Sequence, residues 1–119
     1  MMRLDGHWID DETAVLAVDG ELDRQGAARL AHEAGRAGSR DVRRLVLDLT
    51  GMSFMDSTGL AGLLLLWNEM RGRGGELSLV LPPGADARRT LEIRGLADRL
   101  DIRASLEDAI ASAPRSQPG

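Results

Sequence analysis

Leu45-Val46-Leu47-Asp48-Leu49-Thr50-Gly51-Met52-Ser53-Phe54-Met55-Asp56-Ser57-Thr58-Gly59-Leu60 is the stretch on which the fold turns. Its first five residues read as a strand with apolar side chains on both faces, the pattern of a strand buried in the middle of a sheet. Asp48 interrupts the run and is expected near the strand's end. Asp56-Ser57-Thr58 then supplies short oxygen-bearing side chains, which accept hydrogen bonds from the free N–H groups at a helix start. From Ser57 to about Gly72 the sequence reads as a helix. A buried strand that feeds a capped helix is the building unit of α/β domains.

The flanking sequence repeats the alternation. On the N-terminal side, Ala27, Leu30, Ala31 and Ala34 fall at helical spacing and predict a helix over 24–37. Thr13 to Val18 reads as a strand broken by Gly20. A turn at Asp10-Asp11-Glu12 leads back to a short edge strand at Trp8 and Ile9. On the C-terminal side, Leu77 to Leu81 is a strand stopped by Pro82-Pro83. A helix from Ala85 to Arg94 ends at Gly95, with Leu96 placed for the hydrophobic contact of a Schellman ending. Leu100 to Arg103 is a last short strand, and Ser105 with Asp108 resembles a capping box before a final helix. The fold class is therefore α/β, a mixed sheet of about five strands flanked by about four helices. The tight turn makes the first strand pair antiparallel, and the rest are largely parallel. Residues 1–112 read as one domain and 113–119 as a disordered tail.

Composition narrows the function. The 119 residues, 43% hydrophobic and 29% charged, suit a single soluble domain. With no cysteine there is no disulfide framework and no thiolate metal site. Two histidines and scattered carboxylates offer no metal-ligand spacing. A net charge of −4 lacks the basic footprint of a nucleic-acid binder. No apolar stretch follows Arg3 as a signal peptide requires, and the longest apolar run, Leu60 to Trp67, is too short to cross a bilayer. The expectation is a cytoplasmic protein with no cofactor, no metal, no membrane contact and no direct contact with nucleic acid.

The segment between the central strand and the second helix lies where α/β domains place their sites. Asp56 or Ser57 caps the helix under the simplest reading. Alternatively, Ser57 carries a phosphate. Free N–H groups and the positive end of the helix dipole accommodate an anion there. A phosphate adds roughly −1.5 to −2 charges beside Asp56, with Asp23 expected near. The fold survives while the surface potential changes, which switches a protein interface. Gly59 and Gly62 each cost a helix about 1 kcal/mol against alanine and let another element approach closely. Trp67, on the same helix, is a candidate interface residue because tryptophan is enriched at binding hot spots.

Enzymatic readings fare worse. A triad built from Ser57 with His7 or His32 lacks the Gly-x-Ser-x-Gly elbow. Gly72-Arg73-Gly74-Gly75 follows a helix and precedes a strand, the reverse of a phosphate-binding loop. A phosphoaspartate receiver needs a lysine, and the chain has none. A non-enzymatic binding module is expected.

Phe54-Met55-Asp56-Ser57-Thr58-Gly59-Leu60, after its strand, closely resembles the signature of STAS domains, the group that includes bacterial anti-sigma factor antagonists. Gly20-Glu21-Leu22-Asp23 resembles a second segment of that family, and the likeness runs from about Thr13 to Ile110. It implies the STAS fold and a partner-switching role. In that family the unphosphorylated antagonist binds an anti-sigma factor, often a serine kinase of GHKL type, and so releases a sigma factor. The kinase then phosphorylates the serine that matches Ser57, and a PP2C-type phosphatase reverses it. Asp23 and Asp56 match acidic positions that shape docking and kinase recognition. With Ser57, Thr58, Gly59 and Trp67 they form the expected partner-binding set, on a monomer or weak dimer. Non-switching STAS scaffolds of stressosome or lipid-trafficking type are the alternative.

Overall fold

Leu45, Leu47 and Leu49 face one side of the central strand and Val46 the other, and all four are shut away from solvent. Each side of the sheet accordingly has its own apolar cluster, a large one beneath the first three helices and a small one around Val15, Val46, Val80 and Ala109. The computed structural model describes residues 1–38 and 42–111. In chain order its elements are β1 (Met2–Trp8), β2 (Thr13–Leu22), α1 (Arg24–Gly38), β3 (Arg44–Met55), α2 (Ser57–Gly72), β4 (Glu76–Val80), α3 (Asp86–Ile93), β5 (Asp101–Arg103) and α4 (Leu106–Ala111). The strands lie in the order β1-β2-β3-β4-β5, β1 antiparallel to β2 and every other neighbour parallel. This is the mixed α/β sheet expected. Residues 113–119, expected as a tail, lie outside the described residues.

Helix ends follow the sequence closely. Gly95 adopts φ +73°, its N–H bonds the Glu92 carbonyl at 3.1 Å, and the Leu96 N–H reaches back to the Leu91 carbonyl at 2.9 Å. These are the two bonds of a Schellman ending, closed by the buried Leu91 against Leu96. The Asp108 N–H bonds Ser105 Oγ at 3.1 Å, which starts α4 as the capping pattern requires.

Three strands differ from the sequence reading by more than one residue at an end. The first strand is not a pair of residues at Trp8 and Ile9; it spans Met2–Trp8, with Met2, Leu4 and Trp8 packed on the large cluster while Arg3, Asp5 and His7 alternate outward. The second does not stop at Gly20. A left-handed Gly20, φ +97°, accompanies a register shift, and the ladder resumes to Leu22. The extra residue at that shift is Ser53 on β3, and a bulge of this kind bends a strand without ending it. The central strand does not stop at Leu49 either: it continues to Met55, paired with the extended β2, so Asp48 lies in its interior rather than near its end. The extension is mostly exposed or half-buried, so no apolar pattern announced it.

Candidate functional site

β2 and β3 finish level with one another, Leu22 paired with Met55. A single residue then separates each strand from its helix: Asp23 before α1 and Asp56 before α2. Both carboxylates turn back onto the helix they start. Asp23 Oδ1 accepts the Gly26 N–H at 2.9 Å, and Asp56 Oδ1 accepts the Gly59 N–H at 2.8 Å. The Asp56 N–H points across to the Leu22 carbonyl at 3.4 Å. Two helix N-termini therefore stand side by side at the carboxyl edge of the sheet, each with its positive dipole end offset by a carboxylate.

Asp56 has a second partner, the Thr58 hydroxyl, whose Oγ1 donates to Oδ1 at 2.6 Å. That bond first, and the Gly59 N–H second, hold the Asp56 carboxyl below the ordinary aspartate range. A carboxylate with a lowered folded pKa stabilises the fold above the unfolded value, and that contribution is lost as pH falls through the folded one. Asp10, lowered chiefly by the Glu12 N–H, behaves the same way. Asp56→Asn isolates the cap, because Asp10 cancels in the comparison. The stability difference between the native chain and Asp56→Asn should shrink as pH is lowered through the acid range in urea titrations. A difference that stays constant with pH would contradict the charge-assisted cap.

With Asp56 as the cap, Ser57 is left over. It is the first residue of α2, it is exposed, and among the described residues no hydrogen bond engages its hydroxyl. Thr58 is exposed too, but its hydroxyl is committed to Asp56. Gly59 faces inward: a Cβ there would sit 1.9 Å from the Leu22 carbonyl oxygen, so the first turn of α2 rests directly on the end of β2. Gly62 serves a different neighbour, with an added Cβ only 2.8 Å from Ala27 Cβ on α1.

Asp23, Asp56, Ser57 and Thr58 are thus gathered at one edge, with Gly59 buried beneath them. Trp67 is not among them. It lies ten residues further along α2, about 15 Å in axial rise, half-buried against the large cluster with the Arg71 guanidinium 4.7 Å from its ring centroid. Neither histidine approaches Ser57. His7 pairs with Val15, roughly 23 Å down the sheet from Leu22 at strand rise, and His32 is exposed on the later half of α1. Among the described residues no group of three or more His, Asp or Glu could hold a metal ion, and no helix is long and apolar enough to cross a membrane.

Sequence reasoning passed over Phe54 as a surface residue. The one phenylalanine of the chain is 52% exposed. It borders a groove of about 320 Å³ between the β3 extension and the start of α3, shared with Met52, Met55, Pro82 and Ala85. The available signal was a lone aromatic between two methionines, two residues ahead of the helix cap.

The family model of the STAS domain matches residues 9–109. The chain belongs to the STAS domain family. Among curated proteins, this STAS domain is 31% identical over 97 residues to the anti-sigma-F factor antagonist RsfB of Mycobacterium tuberculosis, covering 82% of this chain and 78% of RsfB. Among solved structures it superposes with a TM-score of 0.79 on an anti-sigma factor antagonist from Mycobacterium paratuberculosis, 25% identical, over 92% of each chain. The phosphorylated form of SpoIIAA, a cell fate determinant of Bacillus, has the same fold, with a TM-score of 0.69 at 23% identity over 91% of this STAS domain and 96% of that chain.

Proposed function

We propose that this STAS domain is an anti-sigma factor antagonist that binds its anti-sigma factor through the edge carrying Asp23, Asp56, Ser57 and Thr58, and that phosphorylation of Ser57 ends the interaction. The observation that carries the reading is the division of labour at the start of α2. Asp56 caps the helix, so the exposed Ser57 hydroxyl is not needed to hold the fold. A scaffold in which Ser57 serves only as a cap loses its rationale for the same reason. The apolar groove at Phe54 supplies area for a partner beside the polar edge. The name of the RsfB relative favours the same role.

In this reading the partner is an anti-sigma factor that is also a serine kinase of GHKL type. A PP2C-type phosphatase restores the binding form, and the protein acts in the cytoplasm as a monomer or weak dimer. Trp67, remote from the edge, takes no part in this contact. Incubation with ATP and such a kinase should place one acid-stable phosphate on Ser57 and none on Thr58, read by intact mass and peptide mapping. Phosphate on Thr58, or a stable complex that persists with Ser57 fully phosphorylated, would overturn the switch.

A further inference from the structure

The opposite end of α2 holds an opening that the switch does not use. A cavity of about 700 Å³ lies between the last turn of α2, the glycine turn that follows it and the starts of β4 and β5. Trp67, Arg71, Gly74, Gly75 and Arg99 line it. The Arg71 guanidinium lies over the indole at 4.7 Å. Stacking of this kind fixes the guanidinium while leaving its in-plane N–H donors free to meet an oxyanion in a forked pair. Among the described residues, neither Arg71 nor Arg99 has a carboxylate partner. Two unneutralised guanidiniums on one cavity are notable in a chain of net charge −4.

The carboxylates on the same wall limit the ligand. Asp101 is engaged by Arg103 Nε at 2.8 Å and by Ser78 Oγ at 2.7 Å, so it does not quench the arginines. Glu76 adds a further negative charge to the lining, which repels an extended polyanion. We infer that this cavity binds a small organic oxyanion, a carboxylate or phosphate monoester on a flat apolar body. The charged group would sit between Arg71 and Arg99 and the body over Gly74, where nothing lies within 4 Å of the Cβ position. The volume falls within the range of small-molecule sites. The site is about 20 Å from Ser57 by axial rise along α2, so occupancy does not depend on the phosphorylation state.

Titration of the isotope-labelled chain with phenyl phosphate, followed by NMR, tests this directly. Saturable shifts are expected at the Trp67 indole N–H and at the Gly74 and Gly75 amides, with Ser57 to Gly59 unmoved. Inorganic phosphate should bind more weakly, because it lacks the apolar body. Arg71→Met and Arg99→Met should each weaken binding about tenfold or more, the loss of one charge-assisted pair. Shifts that fail to saturate below about 10 mM, shifts centred on Ser57, or equal binding by the Arg71→Met/Arg99→Met double variant would each overturn the site. The Ser57-phosphorylated chain should give the same titration.

Discussion

Gly59→Ala should lower the folding stability by about 3 kcal/mol, the largest loss expected from any single added methyl group in α2. The new Cβ would fall 1.9 Å from the Leu22 carbonyl oxygen and 2.8 Å from its carbon. Those are backbone atoms of a fully buried residue already paired with Met55, and they cannot swing aside. Relief requires the first turn of α2 to lift off β2. That also pulls the Asp56 N–H from the Leu22 carbonyl and disturbs the cap. Gly35→Ala on α1 is the control, since nothing lies within 4 Å of its Cβ position. There alanine should gain up to about 1 kcal/mol from helix propensity. Urea midpoints that leave Gly59→Ala level with the native chain would mean that α2 does not rest on Leu22.

Phosphorylation of Ser57 should weaken anti-sigma factor binding by at least a hundredfold. Burying an uncompensated charge in an interface costs about 3–5 kcal/mol, which is more than two decades in Kd. Asp56 sharpens the effect: like any ordinary aspartate it is ionised at neutral pH, so the phosphate joins an existing negative charge. The fold itself should not suffer, because an anion at the first turn of a helix interacts favourably with the dipole and the free N–H groups. The thermal midpoint should therefore hold or rise while binding collapses. Ser57→Ala should bind permanently, with an unchanged fold. Ser57→Asp should weaken binding by an intermediate factor, since one carboxylate carries about half the charge of a phosphate. Ser57→Asp binding as tightly as the native chain in calorimetry would remove the electrostatic basis of the switch.

The parts of this molecule that burial dictates were readable from the chain. Leu45 to Leu49 declared a buried strand through apolar side chains on both faces, and Gly95 with Leu96 marked a helix end that the structure closes with two backbone bonds. The parts that solvent reaches were not. Thr50, Gly51 and Ser53 look like a loop, and they are strand only because the neighbouring β2 offers backbone partners that far. β1 was missed differently: Met2, Leu4, Gly6 and Trp8 do alternate with polar residues, but Gly6 breaks the apolar series in its middle. At the site, residue type alone left Asp56 and Ser57 equally able to cap α2. Only the geometry of Oδ1 against the Gly59 N–H separates the capping residue from the free hydroxyl. Nor does a sequence show that Trp67, on the same helix as Ser57, belongs to the other end of the molecule.

The junctions at Asp23 and Asp56 each consist of one residue, and they hang from strands locked in a common register by Leu22 and Met55. Such a connection has no slack. Adding or removing a residue between Gly20 and Asp23, or between Gly51 and Asp56, would rotate one helix relative to the other and send Gly59 away from Leu22. Variants of this chain that keep the fold should therefore have constant length across both intervals. Length changes will be confined to places such as the turn at Asp10 and Asp11, where the residues are exposed and no helix start depends on the count.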